Sequence, residues 1–199
     1  MLKLPQITLV ALTNKNIPAH EEAIRKSCEG IEWGAVKLIV DYKCTSIDIW
    51  NYKILYELHN YVDTEFAMLI HADSEIVHPE KWNNDWLNYD YCGSPWPLPK
   101  DDYSYRTPSG KLVRVGNSVG LRSKKLMELA ASTPKEYFWS FKEKYGNSNE
   151  DGYISCHIRE FLEENGCKFM PFEEAIYFGK EHELPENQGV DTFLVHEVG

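Results

Sequence analysis

The sequence contains no run of about 18 apolar residues, the length a membrane-spanning helix needs. It has no N-terminal basic segment leading into a long apolar stretch and no Asn-x-Ser/Thr acceptor, so neither secretion nor a membrane span is expected. The five cysteines, Cys28, Cys44, Cys92, Cys156 and Cys167, are odd in number and show no CxxC or other zinc spacing. Reduced, mostly buried thiols in a cytoplasmic protein are the expectation. No P-loop or GxGxxG occurs, which removes the usual sequence support for a phosphotransfer or nucleotidyltransfer enzyme. Positive charge is scarce as well: 21 Lys and Arg stand against 31 Asp and Glu, a net charge of −10. Nucleic acid and anionic membranes are therefore not the expected partners. An anionic small substrate would need a bound cation or a local basic cluster. Lys111, Arg114, Arg122 and Lys124 form one such cluster, or are solvated surface charges.

What the sequence does have is a core. At 199 residues and 43% hydrophobic, it is long enough for one domain that buries roughly 70% of the surface of its unfolded chain. Ile7–Leu12 is a β-rich apolar run ending in Thr13-Asn14, and residues 36–40 form a second run ending at Asp41. Between them Pro18 precedes a short helix over residues 19–28, stopped near Gly30. Ile47, Trp50, Ile54, Leu58 and Tyr61 recur at helical spacing, with Thr45 or Ser46 as N-cap. A third strand, Phe66–Ile70, runs into His71-Ala72-Asp73-Ser74-Glu75. Strand, helix, strand, helix, strand predicts an α/β layer with a mostly parallel central sheet flanked by helices. Ligands of such sheets gather at the carboxyl ends of the strands, where Thr13, Asp41 and Asp73 would share one rim.

The second part of the chain is less regular. Residues 90–110 form a loop rich in Pro and aromatics, and loops of that length are often functional. Trp96, Tyr91, Tyr103 and Tyr105 either stack on a ligand ring or cover the core. Val113–Leu121 reads as a strand interrupted by Gly116 and Gly120, and Ser123–Ala131 as a helix. Ser148 or Asn149 is placed to cap a helix that buries Ile154, Ile158, Phe161 and Leu162 and closes at Gly166. Residues 167–171, 175–178 and 193–195 read as short strands.

Several groups have two readings each. On a continuing strand Asp73 and Glu75 face one side with His71, a set suited to a hard divalent cation that also binds phosphates; the alternative is a turn in which Asp73 caps backbone N–H groups. Glu150 and Asp151 at a helix start supply a general base, or simply favour the helix dipole. His196 is a metal ligand or a packed histidine. Gly116-Asn117-Ser118 marks close approach to a ligand, or a bulge.

In their order these stretches resemble the metal-dependent GT-A glycosyltransferases and, within them, a small bacterial and viral group of GT-A-like domains. The resemblance runs from about residue 47 onward. It is carried by Asp63-Thr64-Glu65, His71-Ala72-Asp73-Ser74, Trp82, the stretch from Tyr89 to Trp96, the stretch from Val115 to Ser123, Glu150-Asp151, Phe178-Gly179-Lys180-Glu181 and His196. It implies one GT-A-like domain over residues 1–199, with a nucleotide-binding half at about 1–80 and an acceptor-side half at about 81–199. His71-Ala72-Asp73 takes the place of the family's DxD motif, with His71 where the first acid stands. By the same resemblance Asp73 and His196, with His71 and Glu75, hold Mn2+ or Mg2+. Thr13, Asn14 and Asp41 line the base and ribose pocket, and Gly116, Asn117 and Ser118 pass close to donor and acceptor. Asp151 or Glu150 faces the acceptor as base. The implied activity moves a sugar from a nucleoside-diphosphate sugar, a UDP-sugar first among them, to a glycan or other hydroxyl acceptor. A non-catalytic relative that binds a nucleotide sugar or glycan is the alternative.

Overall fold

The computed structural model describes residues 1–145 and 149–196. In chain order the elements are β1 (Leu2–Thr13), α1 (Ile17–Ser27), β2 (Ile31–Val40), α2 (Ile47–Tyr56), β3 (Phe66–Leu69), β4 (Ser74–Ile76), β5 (Tyr91–Pro95) and β6 (Val115–Ser123). They continue with α3 (Lys124–Ala131), α4 (Lys135–Tyr145), α5 (Glu150–Gly152), α6 (Arg159–Glu164), α7 (Phe172–Phe178), β7 (Gly179–Lys180) and β8 (Leu194–His196). Among the described residues no helix is long and apolar enough to cross a membrane.

The central sheet has the order β2-β1-β3-β6-β5. β1 pairs in parallel with both β2 and β3, which is why its apolar run is continuous: helices cover both of its faces. Alternate residues divide between two cores, as the period of a strand requires. Leu9, Ala11 and Met68 pack on the side of α1 and α7, while Val10, Leu12, Ala67 and Leu69 meet Ile54, Leu58 and Met127 on the other. The expected α/β domain thus forms, with its parallel pairing confined to β2-β1-β3. β6 and β5 add antiparallel, so the sheet is mixed.

α2 begins as its sequence indicates, the Ser46 hydroxyl accepting the Ile49 N–H at 3.2 Å. Ile54 and Leu58 are buried, whereas Ile47 is exposed and Trp50 reaches across to donate from Nε1 to the Leu12 carbonyl at 2.8 Å. Of the two expected caps for the later helix, Ser148 lies outside the described residues and Asn149 holds the N-cap position of α5. The helix that follows is not continuous. A π-helical turn at Tyr153–His157, in which the Ile158 N–H reaches the Tyr153 carbonyl (2.9 Å), inserts one extra residue before α6. Ile154, Ile158 and Leu162 are buried as expected, but the insertion leaves Phe161 exposed. Gly166, at φ 78°, ends α6 with the Cys167 N–H bonded to Leu162 and its own N–H to Glu163.

Four expectations fail here. Residues 167–171 hold one isolated bridge, Phe169 with Tyr91, in place of a strand, and the loop expected after residue 90 begins as β5. Residues 175–178 are helical, not a strand: Pro171 sets the start of α7, and Glu173 and Glu174 occupy a first turn that favours acids. The polar end of β3 is also not a continuing strand. The chain turns at residues 71–74, where the Ser74 hydroxyl accepts the His71 N–H (2.8 Å) and donates to its carbonyl (3.0 Å). β4 then leaves the central sheet for a second one, of order β4-β8-β7. The small sheet fixes His196 opposite Ser74, beside the end of β3.

Candidate metal and carboxylate site

His71, Asp73 and His196 converge, each offering one ligand atom within 4.8 Å of the others. The His196 Nε2 lies 3.4 Å from Asp73 Oδ1, and the two imidazoles meet edge to face at 5.1 Å. Asn117 fixes the proton of His196. Asn117 Oδ1 accepts the Val119 N–H at 3.0 Å, and its Nδ2 donates to Ser94 at 3.1 Å, so Oδ1 is an acceptor toward His196 Nδ1, also at 3.0 Å. The Nδ1–H therefore donates to Asn117, and Nε2 presents its lone pair to the Asp73 carboxylate.

Burial holds the His196 pKa below the usual value despite the opposing pull of Asp73, so near neutrality two electron-rich atoms face one another. A cation between them resolves that repulsion. His71 adds a third donor. Burial, with the charge of His196 next, takes its pKa down to about 3, and its Nε2 is buried with no hydrogen-bond partner among the described residues. A metal with bonds of about 2.0–2.2 Å sets adjacent ligands roughly 3 Å apart, so the His196 to Asp73 spacing suits one. A ligand histidine that donates its other N–H to a fixed acceptor is the arrangement that orients such sites.

Asn117 itself is unusual: it is 1% exposed on β6 with φ 103°, a conformation that favours glycine. Its carbonyl accepts the Tyr91 hydroxyl at 2.7 Å, and its backbone N–H is bonded to Asp151. One strained residue thus joins the imidazole cluster to a carboxylate.

That carboxylate is perturbed. Burial, together with the neighbouring Glu150 charge, raises the Asp151 pKa to about 7, against the stabilising N–H groups of Gly152 and Asn117. Asp151 lines a cleft of about 690 Å³ with Glu181, Trp96 and Tyr105. Glu181 is likewise raised to about 7, first by burial and then by Asp151, and lies 3.7 Å from His196 Nδ1. On the other side of the cluster a second cleft, of about 460 Å³, is lined by Thr13, Asn14, Trp50, His71 and Asp73. The cluster thus borders the smaller cleft and, through His196 and Glu181, reaches the larger one.

Several expected site residues are engaged elsewhere. Glu75, carried off on β4, pairs with Lys26 at 2.7 Å and stays outside the imidazole cluster. Asp41 pairs with Lys53 at 2.7 Å, which holds its carboxyl below the usual range, and does not line the smaller cleft. Glu150 is fully buried between Arg122 (2.6 Å) and the Ser118 hydroxyl (2.9 Å), so of the acid pair only Asp151 lines the larger cleft. Gly116 makes room for a side chain: a Cβ there would overlap the Trp96 indole. The basic cluster is dispersed. Lys111, Arg114 and Arg122 face Glu163, Glu186 and Glu150, and Lys124 donates to the Val62 carbonyl. Glu181 belongs to the Phe178-Gly179-Lys180-Glu181 stretch that carries the resemblance, but nothing in the sequence gives it a role, and it is the pairing of β7 with β8 that brings it to His196.

The family described as "Protein of unknown function (DUF5672)" matches residues 40–196. The chain belongs to the DUF5672 family. Among curated proteins none matches it. Solved structures do match this DUF5672 chain nearly end to end. One is a glycosyltransferase involved in the glycosylation of the major capsid of PBCV-1, with TM-score 0.60 and 11% identity over 97% of this chain and 93% of that one. Another is the galactosyltransferase LgtC in complex with donor and acceptor sugar analogs, with TM-score 0.59 and 13% identity over 96% and 87%. An active-site mutant of LgtC matches at TM-score 0.54 and 15% identity over the same shares. At such identities the likeness concerns the fold: this DUF5672 domain has the GT-A-like architecture.

Proposed function

We propose that this DUF5672 chain is a metal-dependent glycosyltransferase that moves a sugar from a nucleoside-diphosphate sugar, with UDP-sugars first, to an acceptor hydroxyl. The observation that carries the reading is His196, locked by Asn117 so that Nε2 faces Asp73 beside His71, whose Nε2 has no hydrogen-bond partner among the described residues, in a GT-A-like fold. The similar solved structures, a glycosyltransferase and a galactosyltransferase, support it.

Asp73, His196 and His71 would hold the divalent cation. When bound, the cation offsets the negative charge that builds on a diphosphate leaving group. Thr13 and Asn14, with Trp50, line the smaller cleft and would contact base and ribose, within the donor half at about residues 1–80. The larger cleft takes the acceptor, within about residues 81–199, where Trp96 stacks on Tyr105 at 4.9 Å under an exposed Tyr103. Asp151 accepts the proton of the attacking hydroxyl. Its base role goes with inversion of the anomeric centre, which NMR of the product reads directly. The free thiols, four of them buried, suit a reducing cytoplasm.

Calorimetry tests the donor side. Mn2+ is expected to tighten UDP binding by at least about tenfold, and Asp73→Ala to remove that gain. An unchanged gain in Asp73→Ala overturns the reading. Hydrolysis of a donor panel in Mn2+ then separates an enzyme from a relative that only binds. A smaller effect is expected from Asn117→Ala, which frees His196 to rotate: about 10–100-fold weaker Mn2+ binding, measured by the same titration.

A further inference from the structure

We infer that Asn117 is a positioning residue for both clefts: its side chain sets which nitrogen of His196 carries the proton, and its main-chain N–H sets the Asp151 carboxylate. The inference rests on reading His196 as a metal ligand and Asp151 as the base, and goes on to name what holds the two in register.

The ladder between β5 and β6 makes the position possible. Between the pairs Ser94–Gly116 and Cys92–Leu121, β6 holds residues 117–120 where β5 has only Gly93. A bulge of this kind takes main-chain groups off the ladder, and the Asn117 N–H turns to Asp151. Its φ of 103° is open to glycine, yet glycine has no side chain to reach His196. Asparagine is among the residues that tolerate positive φ best. Bonds on every side hold it there: Oδ1 accepts from His196 and Val119, Nδ2 donates to Ser94, and the carbonyl accepts the Tyr91 hydroxyl at 2.7 Å.

Each arm has its own chemistry. With Oδ1 as a fixed acceptor, the His196 proton stays on Nδ1, and Nε2 keeps a free lone pair 3.4 Å from Asp73. Without Oδ1 the proton can move to Nε2 and bond Asp73, which removes the lone pair a cation needs. The main-chain N–H bonds the ionised form of Asp151 and favours it, as does the Gly152 N–H. Arg122 works in the same direction, and Glu150 and Glu181 oppose it. Tyr91, Tyr105 and Cys156, which also feel the Asp151 charge, are neutral because burial raises their pKa values.

The test uses the full chain, free of added metal, with 15N-labelled histidine and 13C-labelled aspartate. At pH 8 the ring 15N spectrum of the wild type should show His196 protonated on Nδ1. Asn117→Gly, which suits the backbone but lacks the side chain, should move that proton to Nε2. The carboxyl signal of Asp151, identified by its absence in Asp151→Asn, should titrate at the same pH in the wild type and in Asn117→Gly. Asn117→Ala strains the backbone and Tyr91→Phe frees the carbonyl, so both should move that titration to higher pH, the ionisation constant falling at least about threefold. Tyr91→Phe, which alters neither His196 nor Asp151, decides the point if Asn117→Ala fails to fold. A His196 proton on Nε2 in the wild type, or one unmoved by Asn117→Gly, overturns the side-chain arm. An Asp151 titration unmoved by the two backbone variants in chains of unchanged circular dichroism, or moved as far by Asn117→Gly, overturns the main-chain arm. MnCl2 is then added and binding read by calorimetry. If both arms behave as expected and Mn2+ does not bind, the positioning stands and the metal reading falls; Mn2+ binding without them does the reverse.

Discussion

Replacing Asp151 with asparagine is expected to lower turnover by about 10²–10⁴-fold, the usual contribution of a positioned base, while leaving UDP affinity unchanged. Asparagine keeps the size and the hydrogen-bonding oxygen near the Gly152 N–H, which now binds Asp151 Oδ1 at 2.8 Å, so the loss would be chemical. The pH dependence gives the signature. With its pKa raised to about 7 by burial and by Glu150, Asp151 is an effective base only when ionised, so wild-type turnover should climb as pH rises through about 7 and the variant should lack that step. Stability moves the other way. A carboxyl whose folded pKa lies above its unfolded value of about 3.9 favours the fold at low pH and loses that contribution as pH rises through the folded pKa. Asp151→Asn should therefore raise Tm over wild type most clearly above pH 7 and least near pH 4. A variant with low turnover and lower Tm at pH 8 would mean that Asp151 holds the fold instead of the acceptor.

The largest stability effect is expected at Arg122. It is 1% exposed on β6, its Nη2 donating to Glu150 (2.6 Å) and to the Ser118 carbonyl (3.1 Å), and its guanidinium lies 5.7 Å from the centre of the Tyr91 ring. Arg122→Met fills much of the volume but leaves Glu150 as a buried charge without its cation, and such losses cost about 3–5 kcal/mol. Urea unfolding of Arg122→Met should show that loss, and the double variant Arg122→Met with Glu150→Leu should recover a large part of it, because the isolated charge is gone. A double variant as unstable as the single one would place the cost in packing.

The two effects show where sequence reading stops. The apolar run of β1 and the Ser46 cap of α2 are local patterns, and each forms at the residues whose types call for it. Asp73 and His196 are named by residue type and order, but what orients His196 is Asn117, whose role depends on a backbone twist and on two side-chain partners that spacing does not reveal. Glu150 and Asp151 are adjacent and alike in sequence. The structure separates them only because Arg122, from a different strand, claims one and a cleft receives the other. Glu75 stands apart from Asp73 because Ser74 bends the chain where a strand would continue, and Ala175–Phe178 is helical because Pro171 governs the local geometry.

The small sheet has a consequence for how the molecule comes to be competent. His196 reaches Asp73 only because β8 pairs with β4, a contact between distant parts of the chain, and such pairings are the slow ones to form. The two donors near residue 70 are thus incomplete until long-range assembly is finished. An ion that occupies the finished cluster and ignores the unfolded chain shifts that equilibrium by mass action. Metal supply would then govern the lifetime of the folded chain as well as its chemistry, so a shortage would be read as protein turnover before it was read as lost activity.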